Sequence, residues 1–508
     1  MNRIKKHISN GLILSLCLVA QLRISAQEHW PTIGKGINLD FSTTEVNKIG
    51  YDPAYYDVFK AAGFKSVRFF VKQGVDPMFY RDAIDGAINK GLTAVITGFT
   101  SKAKGKASFV EYWREFAELY QMYPKELVFE IMNEPKMAGH PNEYQYDVEL
   151  MQWLGDAIVA IRATSPTRVI AIGGPHNNHA DMLLKYVTPE FLTYHLPDGT
   201  GFKEDKNIWG IFHNYRPQHW THSHITKSIV KANPKWKEEI LEALEWGHEW
   251  AKTHKKKVVM SEWGSKLPNN RQEVLKFIKF MKDECKKRDI DWMYYTGVFN
   301  NAWTFSLYTS EWGFEKTADI VEALTDQKPQ IMHLPTNQIN NSTFMMDREH
   351  WYSNGHVTLN TVEGEGVNGS RALRCNVMFV WPEQPVIYQQ TQPDWRFYSE
   401  GFYMLQLRQG NTYKISFYAK TPVNKTKLSV QLGVAPENKT VLWTSEQVEI
   451  NTELTKYEFT YTHESESVEN VRFSILFTER HSEIILDDIK LRGTRPEYQK
   501  SANVSKNN

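Results

Sequence analysis

From about residue 30 to 330, short runs of β-branched and aromatic residues alternate with longer segments in which apolar side chains recur at helical spacing. Eight of the short runs read as strands: 36–39, 66–71, 93–97, 127–132, 168–173, 208–213, 258–262 and 292–298. Ahead of the fifth, Leu150, Leu154, Ala157, Ile158 and Ile161 line one helical face, while Asp156 and Arg162 fall on the other. Val274, Phe277, Ile278 and Met281 repeat that pattern before the eighth. Strands alternating with helices of about ten residues or more form parallel βα units. Eight such units predict an α/β fold, a (β/α)8 barrel, over 27–333. An open doubly wound sheet is the alternative, but no glycine-rich nucleotide loop follows the first strand.

The pattern changes at Leu334-Pro335-Thr336-Asn337, which opens a polar linker over 334–343. Beyond it, helical periodicity gives way to short alternating runs such as 413–419 and 428–432, separated by Gly, Asn and Pro. These runs predict an antiparallel, jelly-roll-like β-sandwich over 344–494, followed by a polar tail at 495–508.

Charge narrows the partners. Sixty Lys and Arg stand against 59 Asp and Glu, so the chain offers no field for nucleic acid or an anionic membrane, and neither is expected as a partner. Aromatic residues reach 13%, a share that suits stacking on the flat faces of sugars as well as core packing. Residues 1–26 have the three parts of a secretory signal: Arg3, Lys5 and Lys6, an apolar stretch at 11–20, and Ser25-Ala26. No later run reaches the roughly 20 apolar residues of a membrane span, so the expected location is secreted or periplasmic, or the bacterial cell surface. Cys17 follows Leu16, which is bulkier than a lipoprotein cleavage site admits. Cys285 and Cys375 fall in different predicted domains, and no Cys-x-x-Cys spacing exists, so neither a disulfide framework nor a metal ligand set is expected.

Two predicted strands end in a carboxylate. Val128-Phe129-Glu130-Ile131-Met132-Asn133-Glu134-Pro135 and Val258-Val259-Met260-Ser261-Glu262-Trp263-Gly264 deliver Glu134 and Glu262 to one rim of the barrel, where barrel enzymes carry their catalytic groups. Buried parallel strands run apolar to their ends, so the acidic tips are either acid–base residues or rim salt bridges. Together, the Asn-Glu-Pro and Glu-Trp-Gly endings resemble glycoside hydrolase family five. The resemblance extends to 63–69 with Arg68, to 111–123 with Trp113 and Phe116, to 161–170, and to His213-Asn214-Tyr215-Arg216-Pro217 continuing into Trp220-Thr221-His222.

That resemblance implies a retaining glycosidase with Glu262 as nucleophile and Glu134 as acid/base. Arg68 and Tyr215 would keep Glu262 ionised, and the charge of Glu262 would keep a proton on Glu134. Asn133 would bind the sugar 2-hydroxyl, and His213 would line the floor. The sequence departs from the family twice. Phe99 stands at or near the place of its strand-three histidine, and Tyr294-Tyr295 replace its strand-eight tryptophan. Tyr295 would supply the stacking face; Trp303 in the next loop, or His176 after strand five, are the other candidates.

In the second domain, 369–374, 410–420 and 485–491 resemble carbohydrate-binding modules of the family four and nine type. Trp351, Trp381, Tyr388, Trp395 and Trp443 are its candidate stacking rings, and Asp487 is where such modules would draw a carboxylate for a structural calcium. The implied function is a secreted, monomeric, endo-acting β-glycanase with a polysaccharide as its partner and no cofactor. A β-1,4-glucan is the first substrate; mannan and xylan remain open within the same chemistry, and a non-catalytic glycan-binding protein is the alternative.

Overall fold

The computed structural model describes residues 30–39, 54–99, 105–135, 143–196, 199–222, 228–267, 269–296 and, with short gaps, 305–494. Eight parallel strands close a barrel in chain order: β1 (Lys35–Leu39), β2 (Ser66–Lys72), β3 (Thr93–Phe99), β4 (Leu127–Asn133), β5 (Ile170–Ile172), β6 (Ile208–His213), β7 (Val258–Trp263) and β8 (Asp291–Thr296). β1 pairs with β2 on one side and β8 on the other, which closes the ring. Around it lie α1 (Ala54–Ala61), α2 (Arg81–Asn89), α3 (Lys106–Leu119), α4 (Glu143–Arg162), α5 (Ala180–Tyr186), α6 (Trp236–His254), α7 (Arg271–Lys287) and α8 (Ala318–Thr325).

Over the described residues, which exclude 297–298 of the eighth run, the predicted strands agree with these, with one physical difference. β5 is shorter than the run 168–173 because Arg168 leaves the sheet to serve α3. Its guanidinium donates to the carbonyls of Tyr120, Tyr123, Pro124 and Leu127. Carbonyls at a helix end have no intrahelical donor, and one buried arginine satisfies several. Close helix-to-sheet packing has its own requirement at Gly210 on β6, where an added Cβ would lie 2.5 Å from the Trp250 ring of α6.

Apolar side chains, among them Val95, Val128, Ala171, Trp209, Ile211, Val259 and Met293, fill the lower barrel interior. Trp30 meets Trp209 edge-on at 6.1 Å. Toward the carboxyl ends of the strands the interior turns polar: Asn38, Arg68, Thr97, Glu130, Asn133, His213 and Glu262 are all buried. Buried charge is tolerated only when paired, so this layer marks where the fold accepts a cost for chemistry.

The second unit adds β9 (Tyr352–Ser353), β10 (Val357–Val362), β11 (Ala372–Val377), β12 (Val386–Gln390), β13 (Thr412–Lys420), β14 (Lys427–Val434), β15 (Val441–Thr444), β16 (Val448–Glu449), β17 (Thr455–Thr462), β18 (Val471–Phe477) and β19 (Ser482–Thr494). One antiparallel sheet runs β10-β11-β19-β13-β17; the other runs β15-β14-β18-β12-β9, with β16 on β14. Their inner faces share an apolar core that includes Ile415, Phe417, Val430, Phe473, Ile484 and Leu486. Part of the stretch expected to be a linker belongs to this unit. Ile339 and Phe344 are buried in the core, Asn337 donates to Ile489 O and accepts from Leu491 N–H, and Ile489 N–H donates to Ser342 O. The polar composition of 334–343 concealed one apolar anchor, Ile339.

Candidate active site

Arg68 organises the rim. It is buried on β2 and donates on every edge: Nε to Glu130 Oε2 at 2.9 Å, Nη2 to Glu130 Oε1 at 2.5 Å and Asn133 Oδ1 at 2.6 Å, and Nη1 to Asn38 Oδ1 and Glu262 Oε1, both at 2.6 Å. Burial opposes its charge, but Glu130 and Glu262 outweigh that and hold its pKa above the ordinary value, so the guanidinium stays charged. Asn38 is itself fixed through donation to Ser261 O and Met293 O.

Glu262, at the tip of β7, has its second oxygen taken by Tyr215, whose hydroxyl donates to Oε2 at 2.9 Å. Burial, and then the Glu262 charge, push the Tyr215 pKa far up, which keeps this hydroxyl a donor. Glu134 follows β4 with a left-handed backbone, φ 39°. Its side chain is 36% exposed against 6% for Glu262, so one carboxylate faces the cleft and the other sits in the wall. His213 Nδ1 lies 3.0 Å from Glu134 Oε1 and 3.6 Å from Glu262 Oε2. Burial lowers the His213 pKa, but the charge of Glu262 and the bond to Glu134 overcome it and raise the balance. One ligating atom from each of Glu134, His213 and Glu262 lies within 4.8 Å of the others. A cation would suit that spacing, but Arg68 already supplies the positive charge against Glu262 and His213 is engaged with Glu134.

Of the expected site residues, Arg68, Asn133, Glu134, His213, Tyr215 and Glu262 thus come together in one bonded cluster. Tyr295 is beside it, edge-on to Tyr215 at 6.3 Å and to Phe305 at 5.6 Å. His176 sits 3.0 Å from Asp147 of α4. Trp303 and the Phe99 side chain fall outside the described residues, although the Phe99 backbone registers with Asn133. Four members of the site went unnoticed in the sequence: Asn38, Thr97, Glu130 and Asn178. Glu130 had a readable signal, since a carboxylate between Phe129 and Ile131 in a central strand needs a buried cation, and Arg68 was the available one. Asn178 had none. It ends three consecutive left-handed residues, His176, Asn177 and Asn178. With its amide oriented to satisfy both ends, it donates to Gly174 O at 3.1 Å and accepts from the Glu134 N–H at 3.2 Å.

The sandwich sorts its own candidates. Trp351 is core, and Trp443 lies against Tyr461 with rings 5.4 Å apart. Trp381 and Trp395 fall outside the described residues. Tyr388 on β12 stacks at 5.7 Å on Tyr352, which is 41% exposed, and the Arg472 guanidinium lies 3.5 Å from the Tyr388 ring. Asp487 Oδ2 accepts from Val367 N–H and Ser370 O–H. The nearby acids Glu363 and Glu365 are paired with Arg371 and Lys420. Burial pushes the Asp487 carboxyl up to about 6.

Comparison with known proteins places this geometry. The model of the cellulase family, glycosyl hydrolase family 5, matches residues 34–301, just over half of the chain, and a carbohydrate binding domain model matches 400–479. Endoglucanase H of Acetivibrio thermocellus is 28% identical over 187 residues, 33% of this chain and 19% of that protein. Endoglucanase A of Clostridium longisporum is 23% identical over 258 residues, 46% of this chain and 48% of that protein. The chain therefore spans about a fifth and about half the length of these curated relatives. Among solved structures, the cellulose synthase subunit Z of Clostridioides difficile aligns at 23% identity and TM-score 0.48, over 58% of this chain and 99% of that one. The endoglucanase Cel5A of Thermotoga maritima aligns at 22% and 0.46, over 57% and 97%.

Proposed function

Because the chain belongs to the cellulase family, glycosyl hydrolase family 5, we propose that it is a secreted, retaining glycoside hydrolase cleaving internal bonds of a β-1,4-glucan, with Glu262 as nucleophile and Glu134 as acid/base. The observation that carries this reading is the spacing of the two acids. One oxygen of each lies within 4.8 Å of the other and of a His213 nitrogen, so both carboxylates can reach one glycosidic bond, as a double displacement needs.

In the first step a Glu262 oxygen attacks the anomeric carbon while Glu134 protonates the departing glycosidic oxygen. Arg68 and Tyr215 donate to the two oxygens of Glu262 before attack. Once the glycosyl ester forms, the Glu262 charge that opposed ionisation of Glu134 is gone, and Glu134 turns base. It then takes a proton from the water that attacks the same carbon and frees Glu262. Asn133, its oxygen held by Arg68, has its amide NH2 left for the sugar 2-hydroxyl. Tyr295 offers a ring face beneath the sugar. The endo action and the glucan follow what the relatives' names describe. Binding of the same polymer falls to the sandwich, where exposed Tyr352 stacks on half-buried Tyr388 and Arg472 lies over the Tyr388 ring. Holding the enzyme on an insoluble polymer raises its local concentration.

The test is reducing-end release and product length on soluble β-glucan, xyloglucan, galactomannan and arabinoxylan, with Glu262→Gln as blank. Cleavage of the glucan alone supports the reading, cleavage of galactomannan or arabinoxylan moves the substrate within the same chemistry, and retention without cleavage of any polymer defeats it.

A further inference from the structure

Arg68 faces two buried carboxylates where the proposed reaction uses one. Glu130 is 1% exposed on β4, and it takes the Nε and Nη2 edge of the guanidinium while Glu262 takes Nη1. Thr97 Oγ1 donates to Glu130 Oε1 at 2.9 Å, so Glu130 is braced from β3 as well. A second buried carboxylate beside an existing pair costs desolvation and like-charge repulsion. Counting charge over the reaction shows what it supplies in return. Arg68, Glu130 and Glu262 sum to one negative charge before attack and to zero when Glu262 is an ester. Without Glu130 the same sums are zero and one uncompensated buried positive charge.

We infer that Glu130 is a positioning residue that shares Arg68 with Glu262, keeping the nucleophile basic before attack and the buried cluster neutral after it. This rests on the reading of Glu262 as nucleophile. The groups facing Glu262 are Arg68 from β2, Glu134 from β4, His213 at the end of β6, Tyr215 just beyond it, and, at longer range, His222. Tyr295 of β8 and Lys266 act on Tyr215 and His222 in turn. Among these, Glu130 works only through Arg68. Removing its charge leaves Arg68 more fully committed to Glu262, which stabilises the carboxylate and makes it a poorer nucleophile.

The experiment is inactivation of the full chain by 2,4-dinitrophenyl 2-deoxy-2-fluoro-β-cellobioside, followed by mass spectrometry from pH 3 to 8. In this step Glu262 displaces dinitrophenolate, which needs no proton from Glu134, so the rate reads the nucleophile alone. Glu130→Gln is expected to slow labelling at the plateau by tenfold or more and to move the acid limb down by about half a pH unit or more. Glu130→Asp keeps the charge and is expected to slow labelling while leaving the limb at its wild-type pH. A slower Glu130→Gln with an unmoved or raised limb, or a Glu130→Asp limb displaced downward, overturns the inference. If Glu130→Gln lacks a cooperative thermal transition, the Glu130→Asp limb decides alone, supporting the inference at the wild-type pH and overturning it elsewhere. Wild-type labelling on a residue other than Glu262, or none, refutes the functional reading, whereas an unmoved limb with wild-type label on Glu262 defeats only the role of Glu130.

Discussion

Tyr215→Phe removes one oxygen and leaves the ring. The lost hydroxyl donates to Glu262 Oε2 at 2.9 Å in a partly buried setting. A hydrogen bond to a charged group contributes about 1.5–3 kcal/mol, and one pKa unit corresponds to about 1.4 kcal/mol. Water entering the vacated space recovers part of this, which leaves an expected loss of about tenfold on the acid side. The sign follows from which form the donor favours. The hydroxyl stabilises the carboxylate, so without it Glu262 holds its proton to higher pH and the acid limb of kcat/KM moves up. At pH 5 the variant should lose about tenfold more activity than at pH 8. The assay is kcat/KM on an aryl β-cellobioside with an activated leaving group, from pH 4 to 9, beside thermal unfolding to show that the fold persists. An acid limb unchanged in position, or moved down, would refute the assignment of Tyr215 as a partner of the ionised Glu262. The direction is opposite to that expected for Glu130→Gln, so the two variants check one electrostatic scheme from both sides.

Glu134→Ala should lose activity on glucan by about a thousandfold or more while still forming the glycosyl-enzyme from dinitrophenyl glycosides, and added azide should release β-glycosyl azide; mass spectrometry and product analysis read both. Asn178→Ala frees the Glu134 backbone N–H and should lower kcat about tenfold with little change in KM, measured by initial rates. Burial pushes the Asp487 carboxyl from an ordinary 3.8 up to about 6, so its contribution is present below pH 3.8 and lost as pH rises through 6. Burial of the ionised group then costs up to about 3 kcal/mol at neutral pH, and Asp487→Asn should raise the melting midpoint of the sandwich at pH 7.5 but not at pH 4. Tyr388→Ala should abolish retention on a glucan affinity gel and leave turnover of soluble oligosaccharides within twofold.

The eight strands were legible because each is a short apolar run bounded by helical periodicity, and the rim carboxylates because they interrupt that rule at strand ends. Glu130 was hidden by the same rule, since a charge inside the run 127–132 looks like noise until Arg68 is placed beside it. β5 was overdrawn because Arg168 reads as a strand residue from its neighbours, whereas its bonds go to the end of α3. Asn178 was beyond reach. Its role depends on three left-handed residues in succession, each an unfavourable conformation of order 1–3 kcal/mol, and no local propensity predicts them. Ile339 was lost to averaging over polar neighbours, which composition does and side-chain burial does not.

The most direct test of the two-carboxylate scheme is proton NMR of the first product from a soluble cello-oligosaccharide, recorded before mutarotation. Close-set acids acting by double displacement predict that the new reducing end appears as the β-anomer and later equilibrates with the α-anomer. The α-anomer appearing first would mean single displacement by water, and would contradict Glu262 as a nucleophile.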